Sequence, residues 1–369
     1  METTMSDAKL FTPLKVGNID IANRIAMAPL TRNRADHATD APYALQAEYY
    51  AQRASAGLLI TEASQISPQG KGYAFTPGIF SKDQIAGWKL TTEAVHAKGG
   101  KIVIQLWHVG RISHNSLQPN GETPVAPSAI NSGMKTFNAQ GFIDTPTPRA
   151  LEVDEIPGIV ADYVKAAQNA MKAGFDGVEI HAANGYLIDE FMKTGANART
   201  DEYGGSVHNR VRLLDEVCAA VVSAIGAGRT GIRISPYSPA NGISDANPHE
   251  TAEAAVKVIA SHKLAYLHIV EGSTGGPRDM PEGTDLPRLR AMFPGAWMVN
   301  NGYTRDMAIE AVQSGAADIV AFGRSYISNP DLVERLKVDA PLNKADSKTF
   351  YGGGAEGYTD YPVLASVDA

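Results

Sequence analysis

Three side chains in GVEIHAANGYLIDEF, residues 177 to 191, could act on one oxygen atom and its neighbours. A short apolar run, Gly177-Val178-Glu179-Ile180, ends on His181, with Asn184 three residues on and Tyr186 two beyond that. An imidazole and a carboxamide can both donate hydrogen bonds to a single oxygen. A phenol with an ordinary pKa of about 10 holds its proton at neutral pH. Together they suit a carbonyl whose conjugated system is reduced or enolised. Any one of them alone would read as a core or turn residue. Their grouping at the carboxyl end of a strand argues for a site, because the loops there carry function in parallel α/β folds.

The elements that must position this group recur along the chain. The spacing predicts eight short apolar strands: Ile25–Leu30, Leu58–Thr61, Lys101–Trp107, Gly177–His181, Gly231–Ser235, Tyr266–Val270, Trp297–Asn300 and Ile319–Phe322. Predicted helices alternate with them at Tyr43–Ala56, Asp83–Lys98, Glu155–Ala173, Val207–Ile225 behind an N-cap Ser206, Pro248–His262, Leu286–Met292, Thr304–Ser314 and Asp331–Val338. Continuously apolar strands suit a parallel sheet covered on both faces, and eight such units predict a (β/α)8 barrel. A doubly wound sheet is the alternative, but no G-x-G-x-x-G follows the first strand. One domain is expected over residues 1–369. Residues 1–24 would form an arm with a β-hairpin at Leu14–Ile21. Residues 25–340 would form the barrel, and 341–369 a C-terminal segment docked at its mouth. The Gly-, Pro-, Ser- and Asn-rich stretch from Arg111 to Pro148, after the third strand, is too long for a simple connection and reads as a lid or binding loop.

Composition narrows the function classes. The chain has 369 residues, 44% hydrophobic and 20% charged, with a net charge of −7. That balance speaks against nucleic acid or an anionic membrane as partner. Its single cysteine, Cys218, permits no internal disulfide and sits in an apolar helical pattern. With no apolar core of signal-peptide length at METTMSDAKLF and no membrane-length apolar run, the expected location is the cytoplasm. No metal site is expected. The expected assembly is a monomer or small homo-oligomer acting on small molecules.

Polar residues stand where the strands should be apolar. Gln105 and Trp107 share one strand face, and Arg233 lies between Ile232 and Ile234. A guanidinium there needs an anionic or acceptor-rich partner. One reading is a salt bridge to a barrel carboxylate such as Glu179. The other is a cation facing a flavin, with Gln105 and Thr31 hydrogen-bonding its ring. Gly302 and Gly323-Arg324 follow the seventh and eighth strands, where barrels bind phosphate, and a single phosphate suits FMN better than FAD. Trp107, Tyr73, Phe350 and Tyr351 are aromatics at strand ends or in loops.

These motifs resemble the Old Yellow Enzyme family of FMN-dependent ene-reductases. They are Ala28-Pro29-Leu30-Thr31-Arg32, Gln105-Leu106-Trp107-His108-Val109-Gly110-Arg111, Glu179 to Leu187, Asn197 to Ser206, Asn300-Asn301-Gly302-Tyr303 and Phe322-Gly323-Arg324. The resemblance runs from residue 11 to about 361 and implies that the N-terminal hairpin caps the barrel. It implies non-covalent FMN contacted by Pro29, Thr31, Ala63, Gln105 and Arg233, with Asn301, Gly302, Gly323 and Arg324 around the phosphate. It implies a substrate pocket of Tyr73, Trp107, His181, Asn184 and Tyr351. Thr31 marks the branch with threonine beside the flavin, where another branch has cysteine, and Asn184 stands where some bacterial relatives have histidine. The implied reaction is ping-pong reduction of enones, maleimides and nitrate esters by NADPH or NADH. His181 and Asn184 would hold the substrate oxygen, hydride would reach the β-carbon, and Tyr186 would protonate the α-carbon. Two other classes are distinguishable: another FMN barrel oxidoreductase, such as a 2-hydroxy-acid oxidase or dihydroorotate-type dehydrogenase, and a barrel that only binds.

Overall fold

The computed structural model describes residues 8–364, so the first seven residues of the N-terminal arm and the last five of the C-terminal segment lie outside the described part. Eight strands form a closed parallel ring: β1 (Ile25–Met27), β2 (Leu58–Ile60), β3 (Ile102–Trp107), β4 (Gly177–Ala182), β5 (Thr230–Ile234), β6 (Tyr266–Val270), β7 (Ala296–Asn300) and β8 (Ile319–Phe322). Each pairs in parallel with the next, and β8 closes on β1 through Val320, Ala321 and Phe322 opposite Ile25, Ala26 and Met27. This is the (β/α)8 barrel expected from the alternation. β1 stops at Met27, short of the expected Leu30, because Pro29 has no N–H to extend the ladder.

The two-residue period of the strands sorts their side chains into two apolar populations. Outward residues such as Met27, Leu59, Ile104, Ile180, Ile232, Leu267, Val299 and Val320 pack against the helices. Inward residues Ala26, Ala28, Leu58, Ile60, Val103, Tyr266, Met298, Ile319 and Ala321 fill the lumen. Both faces are buried, which is why the strands read as continuous apolar runs. The lumen population ends partway up. Gln105, Glu179, His181, Arg233, His268 and Asn300 continue the same inward parity toward the carboxyl ends. Register places Glu179 opposite Gln105, His181 opposite Arg233, and Arg233 opposite His268.

An antiparallel hairpin of Leu14–Val16 and Ile19–Ile21 contributes Val16, Ile19 and Ile21 to the lumen cluster. At its turn, Asn18 N–H donates to the Gly228 carbonyl at 2.8 Å, just before β5. Gly17 has φ +58° and lies against Gly228 and Ala265, leaving no room for a side chain.

At the other end, three segments converge. The stretch after β3 folds into short turns and a hairpin, Lys135–Asn138 with Gly141–Asp144. That hairpin holds the loop bearing Tyr73: Ala74 N–H donates to the Phe137 carbonyl at 2.8 Å, and the Thr136 hydroxyl donates to Gly72. The C-terminal segment is held by two buried arginines beyond β1. Arg32 donates to the carbonyls of Phe350 (2.8 Å) and Gly357 (2.9 Å), and Arg34 to those of Thr349 (2.9 Å) and Gly354 (3.0 Å). A guanidinium's fork of donors can satisfy several carbonyls of an irregular segment at once.

Helices cover the barrel where the periodicity placed them. Ser206 accepts from Asn209 N–H at 3.3 Å as an N-cap, but the helix it opens breaks at Val211 and resumes over Arg212–Ile225. Cys218 is buried in that helix. Two short helices, Leu187–Met192 and Arg324–Ser328, follow β4 and β8 and have no counterpart in the sequence-based reading. Five or six residues are too few to display a 3.6-residue period.

Candidate active site

β4 delivers His181 to the lumen mouth, and the chain then turns tightly through Asn184 (φ +63°) and Gly185 (φ +72°). Asparagine and glycine tolerate this left-handed conformation, and Gly185 N–H donates to Asp189 Oδ2 at 2.8 Å. The turn sends Tyr186 back over the strand end as the residue before the Leu187–Met192 helix. Its ring meets His181 edge-on at 5.2 Å and Trp107 edge-on at 4.9 Å. Tyr73 stacks on Trp107 at 5.6 Å, and its hydroxyl lies 3.2 Å from that of Tyr186. Ala63, Trp107 and Val109 form a small buried cluster with Tyr73 and Tyr186 against it.

Asn184 is aimed by its surroundings. The Thr274 hydroxyl donates to its Oδ1 at 2.7 Å, Asn184 N–H donates to Ser235 Oγ at 2.7 Å, and Asn241 Nδ2 donates to its carbonyl at 2.8 Å. With Oδ1 engaged, the amide nitrogen is the end left to donate. Thr274, Ser235 and Asn241 escaped the sequence-based reading, since each is an ordinary loop residue there.

Protonation states follow from burial. Desolvation raises the Tyr186 pKa, so its phenol carries a proton at neutral pH. Desolvation also pushes Tyr73 well up, with Tyr186 adding to the effect. Burial holds the His181 pKa well below the ordinary histidine value, and Arg233 and His268 lower it further. The imidazole is therefore neutral at pH 7 and acts as a hydrogen-bond donor without charge.

Below this layer lies the polar part of the lumen. Arg233 is buried, and its Nη2 donates to Asn300 Oδ1 at 2.9 Å, while Asn300 Nδ2 donates to the Ala321 carbonyl at 2.7 Å. The salt bridge to Glu179 considered from the sequence is not made. Glu179 pairs instead with His268 Nδ1 at 2.9 Å and accepts from Gln105 Nε2 at 2.7 Å. His268 was missed, though its place inside the apolar run YLHIV is the same signal that marked Arg233.

The remaining expected residues are less uniformly placed. Pro29 and Thr31 lie half-buried just beyond β1. The Asn301 side-chain Nδ2 donates to the carbonyls of Glu271 (2.6 Å) and Ser273 (3.0 Å). Gly302 has φ +65° and open space around its Cα, with the nearest atom to an added Cβ, Arg278 Cδ, at 3.8 Å. Gly323 precedes the Arg324–Ser328 helix, and Arg324 is exposed with Nη2 on the Gly275 carbonyl at 2.7 Å. Tyr351 is 67% exposed and packs edge-on against Phe350, near enough to Tyr73 and Tyr186 for its phenol to act electrostatically on both.

The fold and this mouth define a class, a parallel α/β barrel with a polar, aromatic-walled site at the carboxyl ends of its strands. The chain belongs to the NADH:flavin oxidoreductase / NADH oxidase family, whose model matches residues 9–343, and within it to the Old Yellow Enzymes. It is 46% identical to 12-oxophytodienoate reductase 7 of Oryza sativa subsp. japonica, with 97% of this chain and 95% of that one covered. Among solved structures, morphinone reductase in complex with tetrahydroNAD superposes with a TM-score of 0.93 at 49% identity, covering 98% of this chain and 99% of that one. The Old Yellow Enzyme homologue from Zymomonas mobilis superposes at 0.92 with 46% identity, covering 96% and 99%.

FMN is the family's cofactor, and the residues present fit it. Arg233 Nε, His181 Nδ1 and Trp107 Nε1, on neighbouring inward-facing strand positions in the upper lumen, are buried without a protein partner. Arg233 Nε and Trp107 Nε1 can only donate, and a buried donor left unpaired costs about 1–3 kcal/mol, so these atoms suit a polar ligand beside them.

If His181 and Asn184 grip one oxygen, phenols will bind above the oxidised flavin and produce a long-wavelength charge-transfer band. Replacing either residue by alanine is expected to weaken that binding by about 1–3 kcal/mol. Because His181 stays neutral, its titration will add no step near pH 6.5, about the usual histidine pKa. A phenol titration unchanged in His181→Ala would remove that residue from the site.

Proposed function

We propose that this protein is an FMN-dependent NAD(P)H oxidoreductase that reduces the activated C=C bond of α,β-unsaturated carbonyls, with enones and maleimides as the central substrate class and nitrate esters as a further one. The observation that carries this reading is the convergence of a neutral imidazole, an oriented carboxamide and a protonated phenol at the end of β4, against the Trp107 wall. Bound FMN would supply hydride, taken from NADH or NADPH in a first half-reaction. His181 and Asn184 would hold the substrate oxygen and polarise the conjugated bond, and Tyr186 would deliver the proton. Tyr73 would keep the Tyr186 hydroxyl oriented and help exclude water. Pro29, Thr31, Ala63, Gln105 and Arg233 would surround the ring system, and backbone N–H groups at Asn301, Gly302, Gly323 and Arg324 would meet the phosphate. Both half-reactions would share one pocket, giving ping-pong kinetics.

The net charge of −7 supports small molecules over nucleic acid as partners. No helix of the described residues is long and apolar enough to cross a membrane. A cytoplasmic monomer or small homo-oligomer is the assembly we favour.

The purified protein is expected to carry one FMN, to be bleached anaerobically by NADH or NADPH, and to regain colour with cyclohexenone or N-ethylmaleimide as the saturated product forms. Bleaching by 2-hydroxy acids or a dihydropyrimidine, with no reoxidation by the enone, would transfer the chain to the other FMN-barrel class. A colourless protein that takes up no FMN would leave only binding.

A further inference from the structure

The middle of the lumen holds a carboxylate and a guanidinium that do not pair. Glu179 is fully buried, and its oxygens meet Gln105 Nε2 at 2.7 Å and His268 Nδ1 at 2.9 Å, an imidazole whose pKa burial lowers from the ordinary histidine value. Arg233 is 6% exposed and rests on the amide oxygen of Asn300 at 2.9 Å. A lone charge in a protein interior costs several kcal/mol, so each of these groups needs the other's field. Pairing them directly would take up to two of the Arg233 donors and turn the guanidinium toward Glu179. Held apart, Glu179 offsets the charge of Arg233 while leaving its Nε free of any protein acceptor.

Gln105 has the same logic. An amide side chain can turn over and exchange its oxygen and nitrogen. A carboxylate accepts and cannot donate, so Glu179 admits only the orientation with Nε2 toward itself. The amide oxygen of Gln105 is then the end presented away from Glu179. His268 holds the other carboxylate oxygen and prevents Glu179 from swinging toward Arg233.

We infer that Glu179, braced by His268, is a positioning residue for the flavin site, fixing the Gln105 amide with its oxygen toward the ring and serving as the separated counter-charge of Arg233. The inference rests on the placement of Gln105 and Arg233 at the flavin. It has two consequences of different kinds. The fixed amide adds to FMN affinity. The fixed negative charge opposes the negative charge that the ring system acquires on reduction, and so lowers the flavin's reduction potential.

Glu179→Gln and Glu179→Asp holoenzymes separate the two, read by the FMN dissociation rate and by anaerobic redox titration. Glu179→Gln removes the charge and lets the Gln105 amide turn over. It is expected to release FMN about tenfold faster and to shift the potential upward. Glu179→Asp keeps the charge but is one methylene short of Gln105, so faster release is expected with a potential near that of the parent. Should Glu179→Gln fail to fold, the aspartate variant decides alone: unchanged FMN release would overturn the inference. Where Glu179→Gln folds, an unchanged potential would overturn it as well. Gln105→Leu identifies the cause of a failure. If it too leaves FMN retention unaltered, the placement of Gln105 at the flavin is at fault. If it loosens FMN while the Glu179 variants do not, the coupling is at fault.

Discussion

Tyr186→Phe is expected to slow reoxidation of the reduced enzyme by cyclohexenone about 10²–10⁴-fold, the usual worth of a positioned general acid. The substitution removes one hydroxyl and almost no volume. Its hydroxyl meets Tyr73 at 3.2 Å and the side chain of Asn241, neither of which supports the ring itself, so the packing on Trp107 and His181 should survive. Once hydride has reached the β-carbon, the α-carbon is strongly basic and even a weak acid suffices. Burial raises the phenol's pKa, which keeps it protonated throughout the neutral range. Reduction by NADPH needs no acid and should hardly change. Nitrate-ester reduction protonates no carbon and should also be largely spared. Stopped-flow measurement of each half-reaction separates these outcomes. Equal slowing of both halves would make Tyr186 a packing or binding residue.

Arg233→Ala should have the second large effect, on the cofactor itself. The guanidinium is buried and touches no carboxylate, and its Nε is unpartnered. On reduction, negative charge gathers at the N1–C2=O edge of a flavin, and a fixed cation there favours the reduced form. A hydrogen bond to a charged group is worth about 1.5–3 kcal/mol, so FMN retention should fall roughly 10–100-fold and the reduction potential should drop. The alanine variant also leaves Glu179 buried without its counter-charge, which predicts a less stable apoprotein. Equilibrium dialysis, spectroelectrochemistry and apoprotein melting read the three effects. A variant that holds FMN as tightly and reduces at the parent potential would show that Arg233 only supports the barrel.

The opposite signs expected for Glu179→Gln and Arg233→Ala make the lumen a test of charge placement. Either change removes one member of a separated pair. Removing the carboxylate should favour reduction, and removing the guanidinium should disfavour it. A purely structural role for both would loosen the fold in each case without moving the potential in opposite directions.

The eight-stranded alternation was legible because it rests on local physics. Apolar runs of four to seven residues bounded by glycine and polar turns specify strands, and the longer helices announce themselves by period and caps. The grouping of polar side chains at β4 was legible for a related reason: polar residues in or just past an apolar run stand out against it. That signal marked His181, Gln105 and Arg233 correctly as lumen residues. It was equally present for His268.

What the chain determined by itself is therefore the set of elements, their order, and which residues of each strand share the inward face. Those follow from spacings of two and of 3.6 residues along a single stretch. Only the tertiary structure decided which inward groups meet. Glu179 found His268, 89 residues away, and Gln105, 74 residues away, rather than Arg233, because barrel closure and strand register set those distances. It likewise gave Thr274 the task of aiming Asn184, and turned the Asn301 side-chain Nδ2 to the loop after β6. Contacts between distant segments depend on how loops of different lengths return over the barrel mouth, and no local period encodes that.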